Sequence, residues 1–174
     1  MTRLFFLILL SVACVAAFGK KPFANEFTAV AAGCVPDAGN IHKNDYLVTA
    51  GSIKHQTGNV HDIHLSCPIS IVITKPTRIY LIASDDVGEV QHSKSFVDAT
   101  LAGKSNSDDG IFYSPFCSAN TGQASQDGTV HLIDVACSDL PVTWDQARIA
   151  WFLNITIHRA SSEFNAVFYG AGVY

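Results

Sequence analysis

Seven histidines, at 42, 55, 61, 64, 92, 131 and 158, and several close-set carboxylates are the residues of this chain best able to do chemistry. A metal pair carried on a strand needs ligands two apart, because successive side chains point to opposite faces. His61 and His64 break that rule, whereas Asp62 and His64 satisfy it and form a two-ligand fragment. Zinc or copper would need a third and fourth ligand, with His55 or His92 reaching across strands. The acidic loops around Asp85, Asp86 and Glu89, and around Asn106, Asp108 and Asp109, offer oxygen ligands. Calcium is the cofactor such loops would take, although neither has EF-hand spacing and Asp and Asn also suit plain turns. With no such ion, no cofactor is expected.

Catalytic spacings are absent. The sequence holds no Gly-x-Ser-x-Gly, no His-Glu-x-x-His and no phosphate-cradling glycine loop. The paired carboxylates are adjacent in sequence, whereas glycosidase carboxylates flank a bond from separate elements. The expectation is therefore an interaction or structural protein without enzymatic activity, with a carbohydrate-binding module as first alternative and a metal-dependent or hydrolytic enzyme as second. Aromatic residues offer a different chemistry. Trp144, Tyr46 and Tyr113, with Tyr80 and Tyr169 as further candidates, could form a platform for sugar rings if Trp144 in the loop-like stretch 140–147 is exposed. A buried Trp144 capping the end of the sandwich is the favoured alternative. Trp151 has apolar neighbours on alternate positions and is expected in the core. Asn154-Ile155-Thr156 is a formal glycosylation sequon.

These groups sit on a chain whose first residues set its compartment. Arg3, the apolar run Leu4–Leu10 and the small residues up to Ala17 have the layout of a secretory signal peptide. That apolar run is too short to span a membrane as a helix. Cleavage after Ala17 would leave 174 − 17 = 157 residues, enough for one domain. A second expectation is kept beside it: Val12-Ala13-Cys14 partly matches a lipobox, which would lipidate Cys14, although Ser11 stands where a larger aliphatic is usual. Without Arg3, 11 − 1 = 10 basic residues face 15 acidic ones, for a net charge near −5. That balance excludes nucleic acid as a natural partner. It leaves a protein or glycan at the cell surface.

In an oxidising compartment, the four cysteines remaining after Cys14 are expected to pair. Three connectivities exist. Cys34–Cys67 with Cys117–Cys137 is favoured, since each pair brackets a strand-and-turn segment without nesting. No CxxC or CxxH spacing supports a zinc site at these thiols.

Turn signals recur every eight to twelve residues and the composition is 48% hydrophobic with only 15% charged. That pattern predicts an all-β, single-domain antiparallel β-sandwich, jelly-roll or Ig-like, with two disulfides. Strands are expected at 46–50, 60–74, 78–84, 89–94, 96–101, 111–113, 129–136, 148–159 and 164–169. The strand 148–159 is clearest, with Ile149, Trp151, Leu153, Ile155 and Ile157 alternating against a face that turns polar. Polar loops are expected at 103–110 and 118–128, and a single helical turn within 140–147. The domain plan is a signal peptide at 1–17, an N-terminal arm or tether at 18–33 and the sandwich at 34–174.

Cys34-Val35-Pro36, then Tyr46 with Ala50-Gly51, then Gly58 leading into Cys67-Pro68, form a pattern carried through by Asp85-Asp86, Val97–Leu101 and Phe168-Tyr169-Gly170. It resembles a family of small exported bacterial proteins with no assigned activity. The resemblance implies a bacterial envelope or extracellular β-sandwich and carries over no catalytic residue. Cys117 and Cys137 are an addition to the family's usual pattern.

Overall fold

A computed structural model describes residues 27–37, 46–49, 51–69, 76–86, 95–107, 110–124, 127–138 and 149–174. The described strands are β1 (Phe27–Val30), β2 (Val35–Pro36), β3 (Tyr46–Thr49), β4 (Ser52–His55), β5 (Ile63–Pro68), β6 (Arg78–Asp85), β7 (Ser95–Ser107), β8 (Gly110–Asn120), β9 (His131–Ala136), β10 (Ile149–Arg159) and β11 (Ala166–Val173). They form two antiparallel sheets. One has the order β3-β4-β11-β6-β9 with β1 beside β11, and the other the order β2-β5-β10-β7-β8. Renumbered from β4 to β11, the eight central strands run 1-8-3-6 and 2-7-4-5, the jelly-roll order.

Period-two alternation puts the core between the sheets. Trp151, Leu153, Ile155 and Ile157 of β10 point inward beside Ile63, Leu65 and Cys67 of β5. They meet Ile79, Leu81, Phe168, Ala171 and Val173 of the other sheet. Fully burying a Val, Ile, Leu or Phe side chain stabilises by about 1.5–3 kcal/mol, so a dozen such residues dominate the fold. Both favoured disulfides are formed, with sequence separations of 33 and 20. Cys34–Cys67 fastens the segment before β2 to β5. Cys117–Cys137 joins β8 of one sheet to the residue following β9 of the other. Each closes a loop worth roughly 3–4 kcal/mol on the chain-entropy model.

Several expected boundaries move. The stretch 18–33 is not wholly an arm, because Phe27–Val30 pairs with β11 along Val173–Gly170, and Ala29 and Ala31 are buried. A Cβ at Gly170 would stand 3.0 Å from the Ala29 carbonyl oxygen, so glycine permits this close approach. The polar residues 103–107 are not a loop: β7 continues to Ser107, paired with β8 throughout and with β10 up to Ser105. Ladder bonds hold residues that by type favour turns. Likewise Ser118–Asn120 still belong to β8, and a 3-10 turn follows at Thr121–Gln123. β11 runs on to Val173 through three residues of low strand propensity. β4, which the sequence does not announce, is returned against β3 by a tight turn in which Gly51 takes φ +87°. The expected helical turn at 140–147 and the expected strand segments 70–74 and 89–94 lie outside the described residues.

Candidate functional site

The alternation that builds the core fixes what the β2-β5-β10-β7-β8 sheet shows on its outer face. Ladder partners put Ser66, Asn154, Thr100 and Ser118 in one row across β5, β10, β7 and β8, with Val35 of β2 at its end. The next row is His64, Thr156, Asp98 and Asn120. Thr100 donates to Asp98 Oδ2 at 2.8 Å, and the Thr156 hydroxyl lies 3.2 Å from His64 Nδ1. Phe152 bounds the rows on one side, opposite Pro68 and Ala102. Phe96, paired with His158, bounds them on the other. The Phe96 and His158 rings stack with centroids 4.8 Å apart and planes 20° from parallel. Between these two rungs no Lys, Arg or Glu projects from the described strands. Asn154 and Thr156 of the sequon both lie on this face.

His158 Nδ1 is held by Asp62 Oδ1 at 2.5 Å across 96 residues of sequence. Asp62 and His64 do face the same side, since their partners His158 and Thr156 stand two apart on β10. They do not form the expected ligand pair: the Asp62 carboxylate is taken up by His158, and His64 Nδ1 lies against the Thr156 hydroxyl. His55 does not serve as a third ligand. Its Nε2–H donates to the His61 carbonyl, its Nδ1 is buried without a hydrogen-bond partner, and the ring is 5% exposed. Burial pushes His55 below the ordinary histidine range, with nearby Arg159 and His158 acting the same way; the His61 bond and Asp62 oppose them. Among the described residues, no three His, Cys, Asp or Glu converge on a point where a metal could sit.

One end of the sandwich concentrates buried polarity. Of the buried polar and charged residues, His55, Ser84, Asp85, Ser95, Thr121 and Arg159 gather where β4, β6, β8 and β10 finish and β7 begins. Asp85, at 1% exposure, accepts from Thr121 Oγ1 at 3.0 Å, and the same hydroxyl receives the Val97 N–H. Arg159 donates to the carbonyls of Gln56, Ser161 and Ser162. Asp86 is exposed and holds Asn165 through its backbone N–H and side-chain amide at 2.7 and 3.0 Å. The two adjacent aspartates thus serve different partners: Asp85 braces the sheet ends and Asp86 fixes the β10–β11 turn. Asp108 and Asp109 lie outside the described residues.

The outer face of the other sheet is different. Arg78 Nε and Tyr174 OH both donate to the Asp134 carboxylate, at 2.8 and 2.6 Å. Burial alone would raise the Asp134 carboxyl, but these two donors outweigh it and hold the group below its ordinary range. The same contact raises the Tyr174 phenol. A neighbouring cross-strand row reads Leu132, Ile82, Gly170 and Val30, with Leu132 68% and Val30 58% exposed.

The three aromatic residues expected to form a platform are not assembled by the described structure. Tyr46 is half-buried against the core and lies opposite His55 in register. Tyr113 lies in β8 opposite Lys104. Trp144 falls outside the described residues, while Trp151 is buried as expected. The signal that could have found the polar face was present in β10, where 154, 156 and 158 are polar. Its partners on β5, β7 and β8 depend on register. No helix among the described residues is long and apolar enough to cross a membrane.

No protein-family model matches the sequence, and no curated protein does. Among solved structures the chain is similar to a family two carbohydrate esterase from Cellvibrio japonicus, at 10% identity and a TM-score of 0.43. The likeness covers 86% of this chain and 33% of that one, so the chain spans about a third of that protein's length.

Proposed function

We propose that this protein is an exported, non-enzymatic binding module of the bacterial envelope or extracellular space. The observation that carries the reading is the outer face of the β2-β5-β10-β7-β8 sheet, with two rows of short polar side chains and no long charged one between its aromatic rungs. Solvated sheet faces are usually dressed with Lys and Glu, and depletion of such charge is a mark of contact surfaces. Export is supported by the leader-like residues 1–17 and by two disulfides that need an oxidising compartment. The motif resemblance points the same way.

Expression with the native leader, followed by cell fractionation and mass spectrometry, tests export. The expected product lies outside the cytosol, begins at residue 18 and contains no free thiol. A chain beginning at Cys14 with added lipid would keep the envelope location but make residues 18–26 its tether. Cytosolic protein with residues 1–17 intact and thiols reduced would overturn the reading. Binding is tested by sedimentation with washed envelope preparations, where the wild type is retained and Ser118→Lys is not. Equal behaviour of the two would remove the sheet face from the function.

A further inference from the structure

We propose that this sheet face binds an uncharged glycan chain lying along β10; the proposal rests on the binding-module reading and names its ligand class. Phe152 and the Phe96–His158 stack stand six residues apart along β10, about 20 Å at strand rise. Between these apolar rungs lie the rows Ser66–Asn154–Thr100 and His64–Thr156–Asp98. The spacing therefore offers ring surface at both ends and hydrogen-bonding groups between, which matches a short oligosaccharide. Sugars present the same combination, apolar C–H faces alternating with hydroxyls that both donate and accept.

The side-chain types narrow the class further. Ser and Thr hydroxyls and Asn amides each act as donor and acceptor, so they match a hydroxyl-rich ligand in either polarity. Ser is depleted at protein–protein contacts, where Tyr, Trp, Met and Arg are enriched, and the two rows contain none of those four. Charge settles the rest. Among the described residues, the carboxylates of this region are Asp98, bonded by Thr100, and Asp62, paired with His158. Among the described residues, too, no lysine or arginine between the rungs is available to an anionic polymer. An acidic glycan would bring its carboxylates toward Asp98 without compensation, so a neutral chain is the complementary ligand.

The test is affinity electrophoresis of the protein produced in a bacterial cytosol-free expression system such as the periplasm, with both disulfides intact. Native gels contain xylan, glucomannan, mixed-linkage β-glucan, soluble chitin oligomers, or the acidic polymers polygalacturonate and alginate. At least one neutral polymer is expected to retard the protein, and neither acidic polymer is. Asn154→Ala and Ser118→Lys should each weaken retardation about tenfold with unchanged melting temperature. Leu132→Lys, on the opposite sheet, should bind as wild type. No retardation by any neutral polymer, retardation by acidic polymers alone, or retardation unaffected by both face variants would overturn the proposal. Retention on envelopes that is lost in Ser118→Lys, without neutral-glycan binding, would sink the glycan and keep the binding module. Loss of both would sink the two together.

Discussion

Ser66, Asn154, Thr100 and Ser118 cross one sheet in a row; Leu132, Ile82, Gly170 and Val30 cross the other in a row of the same construction. The backbone geometry is alike and the chemistry is opposite. Polar groups bond one another on both faces: Arg78 and Tyr174 donate to Asp134 on the second, as Thr100 donates to Asp98 on the first. The second face adds an aliphatic row with Leu132 and Val30 exposed. On the first face many hydroxyls and amides are repeated at strand spacing, and charge is scarce. Period-two alternation thus delivers two outer surfaces from one core, and side-chain choice alone separates them.

The strongest way to break the comparison is through the core both faces share. Phe168→Ala in β11 removes a fully buried ring and should cost about 3–5 kcal/mol. Leu153→Ala in β10 should cost about 2–5 kcal/mol. Because the two sheets pack on one core, denaturant melts should stay cooperative, and amide protection should fall on both sheets together. Protection lost from one sheet alone would mean that the faces belong to separable units.

The disulfides act unevenly on the two faces. Cys34–Cys67 fastens β2 to β5 at one edge of the polar sheet, and Cys117 anchors β8 at its other edge. Replacing Cys34 and Cys67 by Ala together should lower stability by roughly 3–4 kcal/mol. Hydrogen exchange should rise first in β2 and β5. A uniform rise across both sheets would show that the bridge acts through the unfolded chain alone.

His55 puts a pH dependence on the other sheet. Its folded-state pKa lies below that of the unfolded chain, because burial disfavours the imidazolium. The unfolded state therefore takes up the proton first as pH falls. The His55 contribution is complete above the ordinary value of 6.5 and is lost as pH drops below it toward the folded value. Thermal midpoints should decline from pH 7.5 to pH 5.5, and His55→Gln should flatten that slope. A slope unchanged in His55→Gln would assign the acid sensitivity to another group.

How far the sequence carried is clearest from β10. Its strict alternation fixed the strand, its buried face and the place of Trp151, because an eleven-residue period-two pattern has few competitors. The disulfide pairing was equally legible, since pairing in chain order closes two loops of 33 and 20 residues without nesting one in the other. Register was not legible. His158 and Asp62 are 96 residues apart, and nothing local brings them together. The polar extension of β7 was hidden for a related reason: Ser105, Asn106 and Ser107 favour turns by type, and only pairing with β8, joined by β10 up to Ser105, makes them strand. The buried role of Asp85 was hidden too. A carboxylate beside a second aspartate reads as a solvated turn until Thr121 is seen to arrive from the end of β8.

The smallest expected effect is the most discriminating. Ser118 and Leu132 are both exposed strand residues on opposite sheets, so lysine at either should change stability by less than about 0.5 kcal/mol. The two variants are then matched in fold and in added charge. Any difference in ligand retention between them reports the face and not the protein's overall charge. If the uncharged row is a contact surface, Ser118→Lys loses retention because the ligand must displace or desolvate an ammonium group, which costs more than the serine hydroxyl it replaces. Leu132→Lys places the same ammonium beside solvent on the far side and leaves retention intact. Should both variants lose retention equally, long-range charge would be at work, and raising salt from 50 to 300 mM should then restore both. Salt-insensitive loss confined to Ser118→Lys is the outcome that ties binding to the rows on β5, β10, β7 and β8.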